Sequence, residues 1–229
     1  MLGAIIGDII GSVYEFKDKR QKDFHLFTPR SRFTDDTVMT LAVAKWLTED
    51  KEHSEDGLVQ QMQNLGRRYP YVGYGGSFRR WLYNLQPKPY NSYGNGSAMR
   101  VSLVAFYAQS LDETLRLATI SAKVTHNHPE GIKGAKAIAA AIYLARTGAT
   151  KAEIKAYVEE NYKYNLNLQL EHVRSTVYSA VNCQKTVPAA IWAFLEGENF
   201  EDVICIAVSL GGDSDTIAAM AGSIAQAFY

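Results

Sequence analysis

The sequence predicts an all-α fold in a single domain that spans residues 1–229. Apolar residues recur at helical spacing or fill whole segments, and several of these segments follow a Ser, Thr, Asn or Asp that is typical of a helix N-cap. We find no convincing strand, internal repeat or low-complexity tract. A chain of 229 residues is long enough for one well-buried domain. We therefore expect an apolar central set of helices with long functional loops on one face.

The predicted helices follow one another along the chain. The first, Ala4–Tyr14, contains glycines that permit the close approach of another helix, and the charged stretch Lys17–Arg32 after it is predicted to be a loop. The next helix, Val38–Leu47, is apolar on nearly every side, which predicts burial on every side. The remaining predicted helices are Leu58–Leu65, Phe78–Leu85, Ala98–Tyr107, Glu113–Val124, Ile132–Arg146, Ala152–Asn161, Glu171–Val181, Pro188–Leu195, Glu201–Leu210 and a last apolar helix that follows Gly211-Gly212.

Local signals justify several of these boundaries. Ser54 and Asn199 precede apolar helical patterns and are predicted N-caps. Thr150 and Glu153 have the spacing of a capping box. Pro188 is predicted to lie near the first turn of its helix, where proline is tolerated.

Two acidic clusters stand at the starts of the two most apolar helices. Phe33–Thr37 reads Phe-Thr-Asp-Asp-Thr, and Gly211–Thr216 reads Gly-Gly-Asp-Ser-Asp-Thr. Each cluster taken singly fits helix capping, because such side chains accept hydrogen bonds from the free N–H groups of a first turn. Capping needs one side chain per helix, whereas four buried carboxylates would repel one another. Two hard divalent ions such as Mg²⁺, Mn²⁺ or Ca²⁺ would balance them, which predicts a binuclear metal site at the helix N-termini.

Other motifs allow more than one interpretation. The turn that starts at Asn95-Gly96 opens a helix and fits either an anion site or an ordinary capped loop. His126 and His128 are two residues apart, and without cysteines or a third histidine nearby we favour hydrogen-bonding roles over metal binding. Glu15 gains interest only from its place between the first helix and the first acidic cluster.

Composition excludes several function classes. The 24 Lys and Arg residues balance the 24 Asp and Glu residues, so no global basic field predicts a nucleic-acid or membrane partner. Cys183 and Cys205 lack the spacing of a disulfide framework or a zinc knuckle. The apolar start of the chain has no basic leader and is too short to span a bilayer. We expect a cytoplasmic protein with a small partner.

Taken together, these motifs resemble the ADP-ribosylglycohydrolase family, and the match runs from the first residues to the last helix. It rests on five segments in the family's order: Gly7-Asp8-Ile9-Ile10-Gly11-Ser12-Val13-Tyr14-Glu15; Phe33-Thr34-Asp35-Asp36-Thr37; Ser92-Tyr93-Gly94-Asn95-Gly96-Ser97-Ala98-Met99-Arg100; Thr125-His126 with His128-Pro129; and Gly211-Gly212-Asp213-Ser214-Asp215-Thr216. The resemblance implies an orthogonal helical bundle with two Mg²⁺ or Mn²⁺ ions, which hydrolyses the bond between an ADP-ribose and its acceptor, a protein or a small molecule.

The resemblance also implies a role for each matching residue. Glu15 matches a mobile-loop glutamate that acts on the substrate or on a metal-bound water, and Asp35 and Asp215 join it as catalytic residues. The implied metal ligands are Thr34, Asp35, Asp36, Asp213, Asp215 and Thr216. The implied substrate-binding residues are the glycine loop Gly75 and Gly76 beside the distal ribose, the diphosphate loop with Ser92, Gly94, Asn95 and Gly96, and His126 in the ADP-ribose cleft.

The chain is short for this family, so loops that contact a protein acceptor in other members are expected to be trimmed. The segment Tyr162–Gln169 matches nothing in the family pattern, and it either covers the site or connects two helices. Two alternatives remain open at this stage. One is a non-catalytic member that binds ADP-ribose or serves a structural role, and the other is a binuclear phosphohydrolase.

Overall fold

The computed structural model describes residues 1–17 and 21–229, and its regular structure is helical throughout those ranges. The only strand-like pairing among the described residues is an isolated antiparallel bridge between Gly94 and Asn182. The helices are α1 (Leu2–Gly11), α2 (Asp35–Glu49), α3 (Glu55–Arg68), α4 (Gly76–Tyr83), α5 (Gly96–Met99), α6 (Ser102–Tyr107), α7 (Leu111–Lys123), α8 (Pro129–Arg146), α9 (Lys151–Tyr162), α10 (Leu170–Val177), α11 (Cys183–Glu196), α12 (Phe200–Ser209) and α13 (Ser214–Phe228). The predicted all-α fold is confirmed.

Helix α13 is the centre of the molecule. Every residue from Ser214 to Ala225 is buried, and α1, α8, α11 and α12 all pack against this helix. The buried apolar side chains of these helices and of α2 join one hydrophobic core. The second acidic cluster therefore begins a helix that has almost no access to solvent.

Small residues bring α1 unusually close to α13. A β-carbon at Gly7 would overlap the backbone of Ala218, and one at Gly11 would lie 2.5 Å from Cα of Asp215. The predicted role of these glycines, the close approach of another helix, is confirmed. This contact places the end of α1 beside the start of α13, where the acidic cluster lies.

The predicted caps form as expected. The side chains of Ser54 and Asn199 accept hydrogen bonds from the first turns of α3 and α12. Thr150 and Glu153 form a complete capping box at the start of α9. These boundaries depend on residues close together in sequence, which is why the sequence alone located them.

Two helix predictions are corrected in their burial or continuity. Helix α2 is not buried on every side, because Leu41 and Lys45 are exposed on its outer face. The predicted helix Ala98–Tyr107 is two short helices, α5 and α6, which are separated at Arg100 and Val101. No glycine or proline marks this break, and the Arg100 side chain instead hydrogen-bonds to residues at the end of α7.

The remaining corrections concern helix ends. Helix α11 begins at Cys183, so Pro188 lies inside the helix rather than near its first turn. The additional turn is stabilised by the Asn182 side chain, which accepts a hydrogen bond from the N–H of Lys185. Helix α10 ends at Val177.

The loop predicted at Lys17–Arg32 is non-helical in its described part, and residues 18–20 lie outside the described residues. The segment Tyr162–Gln169 mainly connects α9 to α10. None of the described helices combines the length and the hydropathy that crossing a bilayer requires.

Candidate active site

A cleft of about 410 Å³ opens where the start of α2, the start of α13 and three connecting segments meet. Its walls include all but one of the predicted site residues, and Thr34 alone does not line it. The predicted residues that line the cleft are Glu15, Asp35, Asp36, Gly75, Gly76, Ser92, Gly94, Asn95, Gly96, His126, Asp213, Asp215 and Thr216. Segments far apart in sequence therefore meet in one place.

Acidic side chains that line this cleft form, together with the buried Asp8, two groups that share one member. Carboxylate oxygens of Asp8, Asp36 and Asp215 lie within 4.8 Å of one another, and so do those of Glu15, Asp213 and Asp215. A carboxylate has two oxygens and can belong to two such groups at once. The arrangement provides two neighbouring sets of oxygen ligands with Asp215 between them.

Asp8 is the functional candidate that the sequence analysis did not identify as a site residue. It is completely buried on α1 and accepts hydrogen bonds from the backbone N–H of Thr34 at 2.9 Å and of Thr37 at 3.1 Å. The hydroxyl groups of both threonines also donate to Asp8. An aspartate in the middle of a Gly/Ile helix was the available signal, because such a charge is rarely buried without partners.

The donor set fits a hard cation. Oxygen Oδ1 of Asp36 is buried and has no hydrogen-bond partner among the described residues. Within residues 1–17 and 21–229, neither Asp36 nor any other carboxylate of the two groups forms an ion pair with Lys, Arg or His. A buried carboxylate oxygen without a donor is costly, and carboxylate oxygens are the ligands that Mg²⁺, Mn²⁺ and Ca²⁺ prefer. These residues could hold a metal ion.

The pKa values of these carboxyl groups also indicate that the site fits a cation. Burial, followed by the charge of Asp215, raises the pKa of Asp36 well above its ordinary value. Burial, followed by the charge of Asp213, likewise raises the pKa of Asp215 well above its ordinary value. Glu15 is half-buried, and burial together with the charge of Asp213 raises its pKa as well. The folded protein therefore holds carboxylates that repel one another unless a proton or a cation intervenes.

The alternative of simple helix capping explains only part of the first cluster. Oγ1 of Thr34 caps α2 by accepting a hydrogen bond from the N–H of Asp36. The side chain of Asp213 makes no capping bond to α13 and instead accepts a hydrogen bond from Nδ2 of Asn95 at 2.7 Å. The hydroxyl of Thr216 donates to Oδ2 of Asp36 at 3.1 Å, which connects the two clusters directly.

Asp35 occupies a different position from the other aspartates. It lines the cleft but belongs to neither carboxylate group. Its Oδ1 lies close to Gly73, in the segment that leads to Gly75 and Gly76. Burial, with the charge of Asp213 added, raises the pKa of Asp35 to about 7. Asp35 therefore differs from the other aspartates of the cleft in lying outside both carboxylate groups and beside the glycine loop.

The predicted glycine loop and the predicted diphosphate loop both line the cleft. A β-carbon at Gly75 or Gly76 would meet no other atom within 4 Å, so this loop leaves open space beside Asp35. In the wall formed by the diphosphate loop, the N–H of Asn95 donates to the backbone oxygen of Val181 at 3.0 Å, and Nε2 of His126 faces Gly96. The bond from Asn95 to Asp213 joins this wall to the acidic base.

The chain is similar to known proteins over its whole length. A family model described as ADP-ribosylglycohydrolase matches residues 1–229. The ADP-ribosylhydrolase ARH3 of Mus musculus is 27% identical over 304 aligned residues, which cover 100% of this chain and 82% of that relative. The ADP-ribosylarginine hydrolase Tri1 of Pseudomonas putida (strain GB-1) is 27% identical over 259 residues, which cover 100% of this chain and 69% of the relative.

A solved structure of an ADP-ribosylglycohydrolase-related protein complex has the same fold. The TM-score is 0.76 with 25% sequence identity, and the match covers 100% of this chain and 85% of that chain. The acidic groups, the helical architecture and the full-length family match lead to one conclusion. The chain belongs to the ADP-ribosylglycohydrolase family.

Proposed function

We propose that this protein is a metal-dependent hydrolase that cleaves the glycosidic bond between ADP-ribose and its acceptor, an ADP-ribosylated protein or small molecule. One observation carries the proposal: two carboxylate groups that share Asp215 lie at the base of a cleft in a member of this family. The printed names of the relatives, an ADP-ribosylhydrolase and an ADP-ribosylarginine hydrolase, support the same substrate class.

The proposed site holds two divalent ions, Mg²⁺ or Mn²⁺. Asp8 is added to the predicted ligands because its carboxylate lies within 4.8 Å of those of Asp36 and Asp215. Bound divalent ions would orient the hydroxyl groups of the distal ribose and lower the pKa of water. We propose Thr34 and Thr216 as hydroxyl ligands because the family resemblance implies them, and the hydrogen bond from Thr216 to Asp36 holds that aspartate in place.

Glu15 is the proposed general base. It belongs to the group that also contains Asp213 and Asp215, and it remains half-buried at the wall of the cleft. A carboxylate with a raised pKa accepts a proton from water more readily than an ordinary one. In the proposed reaction the water oxygen forms a bond to C1″ of the ribose, the bond from C1″ to the acceptor breaks, and a proton passes to the acceptor. Negative side chains such as Asp35 and Asp215 favour the cation-like sugar of the transition state.

The remaining predicted residues bind the substrate in this proposal. The loop with Ser92, Gly94, Asn95 and Gly96 lines the cleft, and in this proposal its neutral polar groups bind the diphosphate, among them the second hydrogen of the Asn95 side-chain amide, whose first is donated to Asp213. Neutral donors of this kind explain how a chain with no net charge binds an anionic nucleotide. Gly75 and Gly76 leave space for the distal ribose beside Asp35.

Product analysis tests the proposal against its alternatives. The protein is incubated with Mg²⁺ or Mn²⁺ and with ADP-ribosylated arginine peptides, ADP-ribosylated serine peptides and O-acetyl-ADP-ribose, and products are identified by mass spectrometry. The proposal predicts free ADP-ribose and an intact acceptor from at least one substrate. Release of AMP or phosphate with the glycosidic bond intact would instead identify a phosphohydrolase. Tight ADP-ribose binding without any cleavage would identify a non-catalytic member.

A further inference from the structure

Arg100 is an unusual residue for the wall of a nucleotide cleft, because it is 1% exposed and has no carboxylate partner among the described residues. Its Nη2 donates to the backbone oxygen of Ser121 at 2.6 Å and to Oγ1 of Thr125 at 2.8 Å. Burial lowers the pKa of its guanidinium to about 10, which leaves the side chain charged at neutral pH. A buried charge is costly, so the burial of Arg100 with only two hydrogen-bond acceptors indicates a functional role.

The hydrogen-bond partners of Thr125 determine which atom donates and which atom accepts in each bond. Arginine has only donors, so Oγ1 of Thr125 accepts from Arg100. The same Oγ1 lies 2.7 Å from Nδ1 of His126, and within the described residues no other acceptor is available for the hydroxyl hydrogen. Thr125 is completely buried, and an unpaired hydroxyl hydrogen there would be costly. The hydroxyl hydrogen of Thr125 has a hydrogen-bond partner when it is donated to Nδ1 of His126. In that arrangement Nδ1 carries no hydrogen.

The other ring nitrogen of His126 points to the diphosphate loop. Its Nε2 would lie 3.2 Å from a β-carbon at Gly96 and 3.5 Å from one at Gly94, and it hydrogen-bonds to no described residue. The side chain lines the cleft and is 5% exposed. Burial, with the charge of Arg100 added, lowers the pKa of His126 well below its ordinary value, so the ring is neutral. A neutral ring with a bare Nδ1 carries its hydrogen on Nε2.

We propose that Arg100 and Thr125 are positioning residues that hold His126 as the tautomer with its hydrogen on Nε2. This N–H donates into the cleft, beside Gly94 and Gly96, to an oxygen of the bound anion. In this chain of hydrogen bonds the guanidinium of Arg100 donates to the Thr125 hydroxyl, and that hydroxyl donates to Nδ1 of His126. A histidine without this chain would present a mixture of donor and acceptor to the anion, and an acceptor there would repel it. Only the identity of the anion rests on the proposed function.

The tautomer is measured directly in the ligand-free protein. Long-range ¹H–¹⁵N correlation spectra of the histidine rings distinguish a nitrogen that carries hydrogen from one that does not. The chain has 5 histidines, and His126→Gln identifies the signals of His126 by their absence. The matched variants are Thr125→Ser, which keeps the hydroxyl group, and Thr125→Val, which keeps the shape of the side chain and removes the hydroxyl.

We expect hydrogen on Nε2 in the wild type and in Thr125→Ser, and a mixture of tautomers or hydrogen on Nδ1 in Thr125→Val. A wild-type ring with hydrogen on Nδ1 would overturn the proposal, and so would a Thr125→Val spectrum identical to that of the wild type. The wild-type spectrum by itself shows which ring nitrogen of His126 carries the hydrogen, so the tautomer is tested even if Thr125→Val folds poorly.

Calorimetric titration with ADP-ribose adds a functional measurement. Loss of a fixed donor to a charged oxygen predicts affinity on the order of tenfold weaker in Thr125→Val, with Thr125→Ser close to the wild type. Equal affinities in all three proteins would overturn the donor role of His126. If the wild type does not bind ADP-ribose, the proposed function fails, whereas the tautomer result stands by itself.

Discussion

The backbone of Gly11 lies directly against the backbone of Asp215, so that a β-carbon on Gly11 would be 2.5 Å from Cα of Asp215. The hydroxyl of Ser214 also donates to the backbone oxygen of Gly11 at 3.0 Å. This contact joins the end of α1 to the first turn of α13, and α1 carries Asp8 into the acidic base of the cleft. The absence of a side chain at position 11 therefore supports both the fold and the site.

Gly11→Ala is expected to destabilise the protein, because the added methyl group overlaps the backbone of Ser214 and Asp215. Those backbone atoms can move away only if helix α13 shifts relative to α1. We expect a loss of about 1–3 kcal/mol or more in the free energy of unfolding, measured by urea denaturation. Gly76→Ala is the matched control for stability, since a β-carbon there meets no atom within 4 Å. Equal unfolding free energies for Gly11→Ala and the wild type would contradict the close contact between α1 and α13.

Asp36→Asn is expected to abolish the response to metal without lowering the stability of the metal-free protein. Asn removes a charge that the metal-free protein buries without an ion pair, so the metal-free variant should unfold at the same temperature as the wild type or higher. The increase in unfolding temperature on addition of Mg²⁺ or Mn²⁺ should be lost. Asp56→Asn, at an exposed position on α3, is the control that should keep this increase. An Asp36→Asn protein with the full metal response would show that the buried oxygen of Asp36 binds no ion.

Stabilisation by metal is expected to grow with pH. The pKa of Asp35 is raised from 3.8 to about 7, and the pKa values of Asp36 and Asp215 are raised well above their ordinary values. A carboxyl group with a raised pKa binds more protons in the folded than in the unfolded protein. The metal-free protein therefore loses stability as pH rises through this range.

Divalent ions bind the deprotonated carboxylates, so the Mg²⁺-dependent rise in unfolding temperature should be larger at about pH 7.5 than at about pH 5.5. The comparison is made with and without metal at each pH, because the lowered pKa of His126 has the opposite effect and cancels in the difference. A metal response that is the same at both pH values would argue against ion binding by these groups.

Glu15→Gln is expected to lose catalysis and keep substrate binding. Gln has nearly the same shape but accepts no proton from water, and removal of a general base costs about 10²- to 10⁴-fold in rate. The value of kcat for ADP-ribose release should fall by that factor, while the Kd for ADP-ribose from calorimetry should stay close to that of the wild type. A parallel loss of binding and turnover would assign Glu15 to substrate binding or metal binding instead.

The sequence located the features that depend on nearby residues. The caps at Ser54 and Asn199 were predicted because each needs only a polar side chain before an apolar helix. The acidic clusters were recognised because each lies within six residues or fewer of the chain. Their meeting in one cleft followed from the apolar character of the two helices and from the family resemblance.

Features that depend on distant residues were missed. Asp8 is paired with Thr34 and Thr37, which lie on another helix and its cap, and nothing in the local pattern of α1 indicates them. The interruption between α5 and α6 lies at Arg100, whose side chain bonds to the end of α7. Local helix propensity favours a continuous helix there, and the tertiary hydrogen bonds favour the interruption.

The central claim is that the carboxylates around Asp215 bind divalent ions on which hydrolysis depends. The most direct measurement is the rate of ADP-ribose release from an ADP-ribosylated substrate by EDTA-treated protein as Mn²⁺ is added, for the wild type and for Asp215→Asn. We predict no release before addition of Mn²⁺, release by the wild type that rises to a plateau, and none by Asp215→Asn at any Mn²⁺ concentration. Full turnover in the presence of EDTA, or by Asp215→Asn, would contradict the account.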